Sequence, residues 1–132
     1  KIVYEVLFSN FSICLHFGLN VFFQAGETEF WLANEADHGY CGKFLFVFGD
    51  QTCPHHCHRM KHETFFVVKG QIRMKTDEGE QIMEQGELLA MPPGISHSFT
   101  GIGPALILEV SQPSILQDNF FADKNIGDNG II

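Results

Sequence analysis

An all-β fold, a single antiparallel barrel of the jelly-roll type, is predicted by three features of this sequence. Short segments rich in Val, Ile, Leu and Phe recur along it, turn signals separate them at intervals near ten residues, and no stretch sustains a helical period. The strand-forming segments, in order, are 30–33, 43–48, 64–68, 71–75, 81–84, 88–91 and 106–110, divided by Gly70, Asp77-Glu78-Gly79 and Gly86. Residues 1–25 mix apolar side chains with Glu5, Asn10, Ser12 and His16 in neither period. We expect them to form an N-terminal segment, with a first strand around Phe17 to Phe23 and a short helix before it. Residues 26–132 then make the barrel and a C-terminal tail, with no repeat, linker or low-complexity tract.

Composition narrows the class. A chain of 132 residues buries one core rather than two. Apolar content of 45% with 14 Phe exceeds what a small barrel can hide, which predicts a homodimer. A net charge of −8 with only eight Lys and Arg excludes nucleic acid and anionic membranes as partners, since both require clustered positive charge. The N-terminal stretch holds no unbroken apolar run of signal-peptide length and nothing approaching the ~20 residues of a membrane span. The four cysteines form no CxxC pair. The expectation is a cytoplasmic protein with reduced thiols, and the missing initiator Met suggests a trimmed chain.

The chemistry is concentrated in two short stretches. His56 and His58 lie two residues apart, and strand side chains alternate, so both point to one face; Glu63 follows on the next strand. Pro54 loses a backbone donor and reads as an edge or loop leading into the pair. Downstream, Pro92-Pro93-Gly94 is a turn signal that delivers His97. Three imidazoles and a carboxylate are a ligand set for a divalent first-row ion, with positions left open for water or substrate. Mn, Fe, Ni, Co and Zn all suit it. His55 and Cys57 alternate away from that face, His62 falls in a turn, and His16 and His38 carry no pattern. Cys53 and Cys57 flank the histidines; packing residues are the simpler reading, with a thiolate ligand or a disulfide as the alternative.

The spacing of Gly49, His56, His58, Glu63 and Gly70, followed by Gly86, Pro92, Gly94 and His97, resembles the two-part signature of the cupin superfamily. Two departures stand out. Gly49 is one residue further from His56 than usual, and Gly101 occupies the place where an Asn is common. Over residues 17–127, Tyr40 to Lys43, Gly49 to Pro54, Lys61 to Phe65, Glu109 to Ser111, Asp118 to Phe121 and Ile126-Gly127 resemble the motifs of D-lyxose ketol-isomerase cupins. Where that family commonly continues Gly-Arg-Phe-Pro, this chain has Gly127-Asp128-Asn129-Gly130. The resemblance implies aldose–ketose interconversion, usually with Mn, on His56, His58, Glu63 and His97.

Such chemistry needs a metal-chelated open-chain sugar, an enediolate and a group that shuttles a proton between adjacent carbons. Lys61 and Glu109 are the candidates for the acid and base roles, Lys61 because a lysine near a metal can have its pKa lowered into a useful range. Glu109 stands between Leu108 and Val110, where a carboxylate is costly unless it faces a cavity. Asp118 is a candidate for binding sugar hydroxyls. Two other classes use the same ligands: an Fe-dependent oxygenase with a pocket lined by Phe44, Phe46, Phe65 and Phe99, and a sugar-binding cupin without the acid/base pair.

Overall fold

The structure is a computed structural model that describes residues 12–126. The proposed N-terminal helix and the Gly127 to Gly130 departure lie outside the described residues, the former at least in its larger part. Nine strands occupy most of the rest: β1 (Ser12–Leu15), β2 (Glu27–Glu35), β3 (Tyr40–Val47), β4 (Thr52–Cys57), β5 (Glu63–Thr76), β6 (Gly79–Glu84), β7 (Leu88–Met91), β8 (His97–Ser111) and β9 (Phe120–Phe121). Two single-turn 3₁₀ segments, 36–38 and 116–118, are the remaining regular elements, and among the described residues no helix is long and apolar enough to cross a membrane. The all-β jelly-roll prediction holds.

All strand pairing is antiparallel, in one curled sheet ordered β1-β2-β3-β8-β4-β9, with β5 on β6, β7 and β8. The sheet turns on β8, whose first residues pair with β4 while residues 105–111 pair with β3. β5 runs along the length of β8, from Glu63↔Ser111 to Thr76↔His97.

Three expectations change. The segments 64–68 and 71–75 are one strand, because Gly70 makes a bulge at φ 84° where the register shifts instead of ending the pairing. A Cβ at Gly70 would run into the Pro104 carbonyl and Ala105, so β5 and β8 approach here as only glycine allows. Pro54 sits inside β4, at the irregularity between Cys53 and His56. The first strand among the described residues is Ser12–Leu15, and 17–23 is a series of turns, because Phe17, Gly18 and Asn20 all take positive φ.

The Gly101 departure has a steric cause. The turn from β3 to β4 lies on it, with Asp50 N–H donating to the Gly101 carbonyl at 2.9 Å, and a Cβ at Gly101 would meet the Phe48 carbonyl. An asparagine has no room there.

Alternation along β3, β5 and β8 divides the interior into two zones. At one end the inward residues are Leu45, Val47, Phe65, Val67, Ala105 and Ile107, packed with Ile72, Met74 and Phe99. At the other end the same strands turn Lys43, Glu63 and Glu109 inward, all buried. Apolar core thus grades into a charged cavity on continuous strands.

Candidate metal centre

His56, His58 and His97 converge, with one ring nitrogen of each lying within 4.8 Å of the others. His97 is placed by the cross-strand pair His56↔His97. The Pro92-Pro93-Gly94 turn is tied to the same end of β4, since Gly94, at φ 87°, donates its N–H to the His58 carbonyl at 2.6 Å. His58 lies just beyond the end of β4, so the strand alternation carries it only part of the way. Glu63 completes the group: its Oε1 is 3.0 Å from His97 Nε2 and 3.6 Å from His58 Nε2.

Each imidazole is oriented through its other nitrogen. Nδ1 of His56, His58 and His97 lies 2.7, 2.9 and 3.1 Å from the carbonyls of Pro54, Asp118 and Ile95. A carbonyl only accepts, so these contacts assign the proton to Nδ1 and leave three Nε2 lone pairs for the centre. Burial, and then the neighbouring imidazoles, hold His56 well below the usual histidine pKa; burial and then Lys61 lower His58. Both are neutral imidazoles at neutral pH, able to serve as metal ligands.

Glu63 is 1% exposed and His97 0%, and neither Glu63 Oε1 nor His97 Nε2 has a hydrogen-bond partner. A carboxylate oxygen and an imidazole nitrogen left unpaired 3.0 Å apart in a dry interior call for a proton or a cation between them. Burial pushes the Glu63 carboxyl up, but contact with His97 and the Lys61 charge outweigh it and hold the group ionised. Three imidazoles and one carboxylate fit a divalent ion. The described cysteines are free and stand outside the three-histidine cluster.

Beyond the ligands runs a chain of alternating charge. Glu63 Oε2 accepts from Lys61 Nζ at 2.7 Å, Lys61 reaches Glu109 Oε1 at 3.0 Å, Glu109 Oε2 lies 3.5 Å from Lys43 Nζ, and Lys43 reaches Glu29 Oε1 at 2.7 Å. Trp31 Nε1 donates to the far oxygen of Glu29, and Ser111 Oγ to Glu109. Burial alone would push Lys61 down, but Glu109 and Glu63 more than offset it and hold it above its ordinary value. The lowered pKa expected from the sequence is not found, because two carboxylates face the ammonium.

The site lines a cavity of about 260 Å³ that takes in His56, His58, Lys61, Glu63, Glu109 and the wall of β2 and β3. Phe65 and Phe99 also line it. Phe44 and Phe46, proposed with them for an oxygenase pocket, do not, since they alternate with the inward Lys43 and Leu45. Asp118 is not among the lining residues: its carboxylate accepts the backbone N–H groups of Arg59, Met60 and Lys61, and its carbonyl orients His58. That geometry makes it an anchor for the loop that carries Lys61, helped by Arg59 stacked 4.1 Å from the Phe120 ring centre.

Sequence reasoning missed Glu27, Glu29, Trp31 and Lys43. A signal was present, because Glu27, Glu29 and Trp31 are spaced two apart and share one face of β2.

A Cupin domain model matches residues 43–111, just over half of the chain and all of its proposed ligands. The chain belongs to the cupin family. This cupin is 30% identical to a D-lyxose ketol-isomerase of Thermofilum sp. (strain ex4484_79), over an alignment of 139 positions that takes in 83% of this chain and 76% of the relative. Its fold is shared with the L-ribose isomerase of Geodermatophilus obscurus, at TM-score 0.77 and 16% identity over 92% of this chain and 83% of that one. It is likewise shared with the Acinetobacter sp. DL28 L-ribose isomerase solved with L-ribose, at TM-score 0.71 and 16% identity over 80% and 74%. The cupin is therefore similar to sugar isomerases of its family, and its three histidines form a candidate metal site.

Proposed function

We propose that this cupin is a metal-dependent isomerase that interconverts an unphosphorylated aldose and its ketose, of the D-lyxose/D-xylulose type. The observation that carries the reading is the direct link between the candidate metal ligands and a buried acid/base array, Glu63–Lys61–Glu109, on one cavity wall. His56, His58, Glu63 and His97 would hold the ion, with Mn the first candidate by resemblance. When bound, the ion polarises the carbonyl and adjacent hydroxyl of an open-chain sugar.

Glu109 is the proposed base that carries the proton between neighbouring carbons, and Lys61, held as an ammonium, is the proposed acid beside the sugar oxygens. Among the described residues both lysines on the wall are already matched to carboxylates and no arginine lines the cavity, so a phosphate would find no free cation there. A volume below the ~300 Å³ of drug-sized pockets suits a small sugar. Charged walls and the outward Phe44 and Phe46 count against an apolar oxygen-activating pocket.

Protein reconstituted with Mn is expected to convert D-lyxose to D-xylulose, with D-mannose as a comparison substrate, read by chromatography. No product from protein with bound metal would remove the isomerase reading in favour of a binding protein.

The outer face supports the proposed homodimer. Phe66 pairs with Leu88 on one side and Leu108 on the other, next to Thr64↔Val110, and Leu88 is 66% exposed. Sedimentation is expected to give twice the chain mass, and Leu88→Glu to halve it; a monomeric parent would refute the dimer. A cytoplasmic location remains part of the proposal.

A further inference from the structure

Glu27 stands at the start of β2, 5% exposed, on the cavity wall two residues from Glu29. Its neighbours in the charged array are all engaged: Lys43 with Glu29 and Glu109, Lys61 with Glu109 and Glu63. Among the described residues no cation is left for Glu27, and its Oε2 has no hydrogen-bond partner. The groups facing it are Glu29 on its own strand, Lys43 on β3, Glu109 on β8 and the Cys53 thiol on β4. Cys53 Sγ is itself 4.0 Å from His56 Nδ1, which places Glu27 close to the histidine cluster. Beyond its hydrogen bond with the Cys53 thiol, a carboxyl with one unpaired oxygen in a dry wall weakens the fold, and an apolar residue of the same size would serve packing better.

We propose that Glu27 is a ligand-binding residue whose free Oε2 takes a hydroxyl of the open-chain polyol held in the cavity. This inference rests on the sugar reading above and adds a contact outside the metal ligands and the Lys61–Glu109 pair. Burial first, then Glu29, push the Glu27 pKa to about 8, against the pull of Lys43. At neutral pH the group is a carboxylic acid, able to donate through its O–H and accept through its carbonyl. A sugar hydroxyl offers the matching donor and acceptor.

The test is calorimetric titration of Mn-loaded protein with xylitol and D-arabinitol, unreactive pentitols, alongside thermal unfolding. Glu27→Leu is expected to weaken pentitol binding at least tenfold and yet raise Tm. Glu27→Gln, which keeps a donor and an acceptor, is expected to bind within threefold of the parent. The gain in Tm for Glu27→Leu widens as pH rises from about 4.5 to about 8, because over that window the unfolded chain releases the Glu27 proton and the folded protein retains it. Undiminished pentitol binding by Glu27→Leu overturns the contact and leaves the isomerase reading intact. A fall in Tm for Glu27→Leu also overturns it, by assigning the residue to the fold. Failure of the parent protein to bind any pentitol removes the sugar reading and this contact together.

Discussion

Replacing His97 with alanine is expected to abolish stoichiometric binding of a divalent metal. The residue supplies an unpartnered Nε2 at 0% exposure, 3.0 Å from Glu63 Oε1, and no other donor among the described residues lies in a position to substitute. Loss of one of the four proposed ligands would release the ion, and with it the stabilisation by linkage. A ligand at 100 times its Kd stabilises a fold by ~2.7 kcal/mol, so added Mn is expected to raise Tm of the parent and leave the variant unchanged. The ring is packed against Phe65, at 5.5 Å between centres, so the variant is expected to be less stable without metal as well. The direct measurement is metal content per folded chain by mass spectrometry. Full occupancy in His97→Ala, or in the parallel His58→Ala, would sink the assignment of the centre.

Glu109→Gln is expected to stop sugar turnover without emptying the metal site. The substitution keeps the volume and one acceptor of a side chain held by Lys61, Lys43 and Ser111, but removes the basicity required to accept a carbon-bound proton. Positioned acid/base groups contribute about 10²–10⁴-fold, and a loss in that range with bound metal unchanged would support the role given to Glu109. Glu109→Ala adds a stability effect, because it takes the shared carboxylate from two buried ammonium groups. Breaking a buried pair costs about 3–5 kcal/mol, and the low end applies here since each lysine keeps a second carboxylate, Glu29 or Glu63. Turnover that survives in Glu109→Gln would move the base elsewhere on the wall.

The convergence of the proposed ligands was readable from the chain because it depends on local geometry. Alternation aims His56, a short loop separates it from Glu63, and a Pro-Pro-Gly turn starts the strand that bears His97. Punctuation by glycine was less reliable. Gly70 looks like a break, yet β5 runs through it, since hydrogen bonds to neighbouring strands outweigh the local preference and convert the break into a bulge. The turns at 17–23 were missed for the opposite reason: three residues in the left-handed region override an apolar segment that reads as a strand.

By itself the sequence determined the all-β class, the jelly-roll architecture, the family signature and the four residues that converge as a candidate metal centre, because period, turn chemistry and short-range spacing suffice for these. Only the tertiary structure decided what surrounds them. Glu29, Lys43 and Glu109 come from three strands and meet through register, and the loop between β4 and β5 brings Lys61 to them, so their pairing is invisible along the chain. The same packing turned the Asp118 carboxylate into a loop anchor and kept Lys61 charged, because hydrogen-bond partners and pKa values are set by neighbours in space, not by neighbours in sequence.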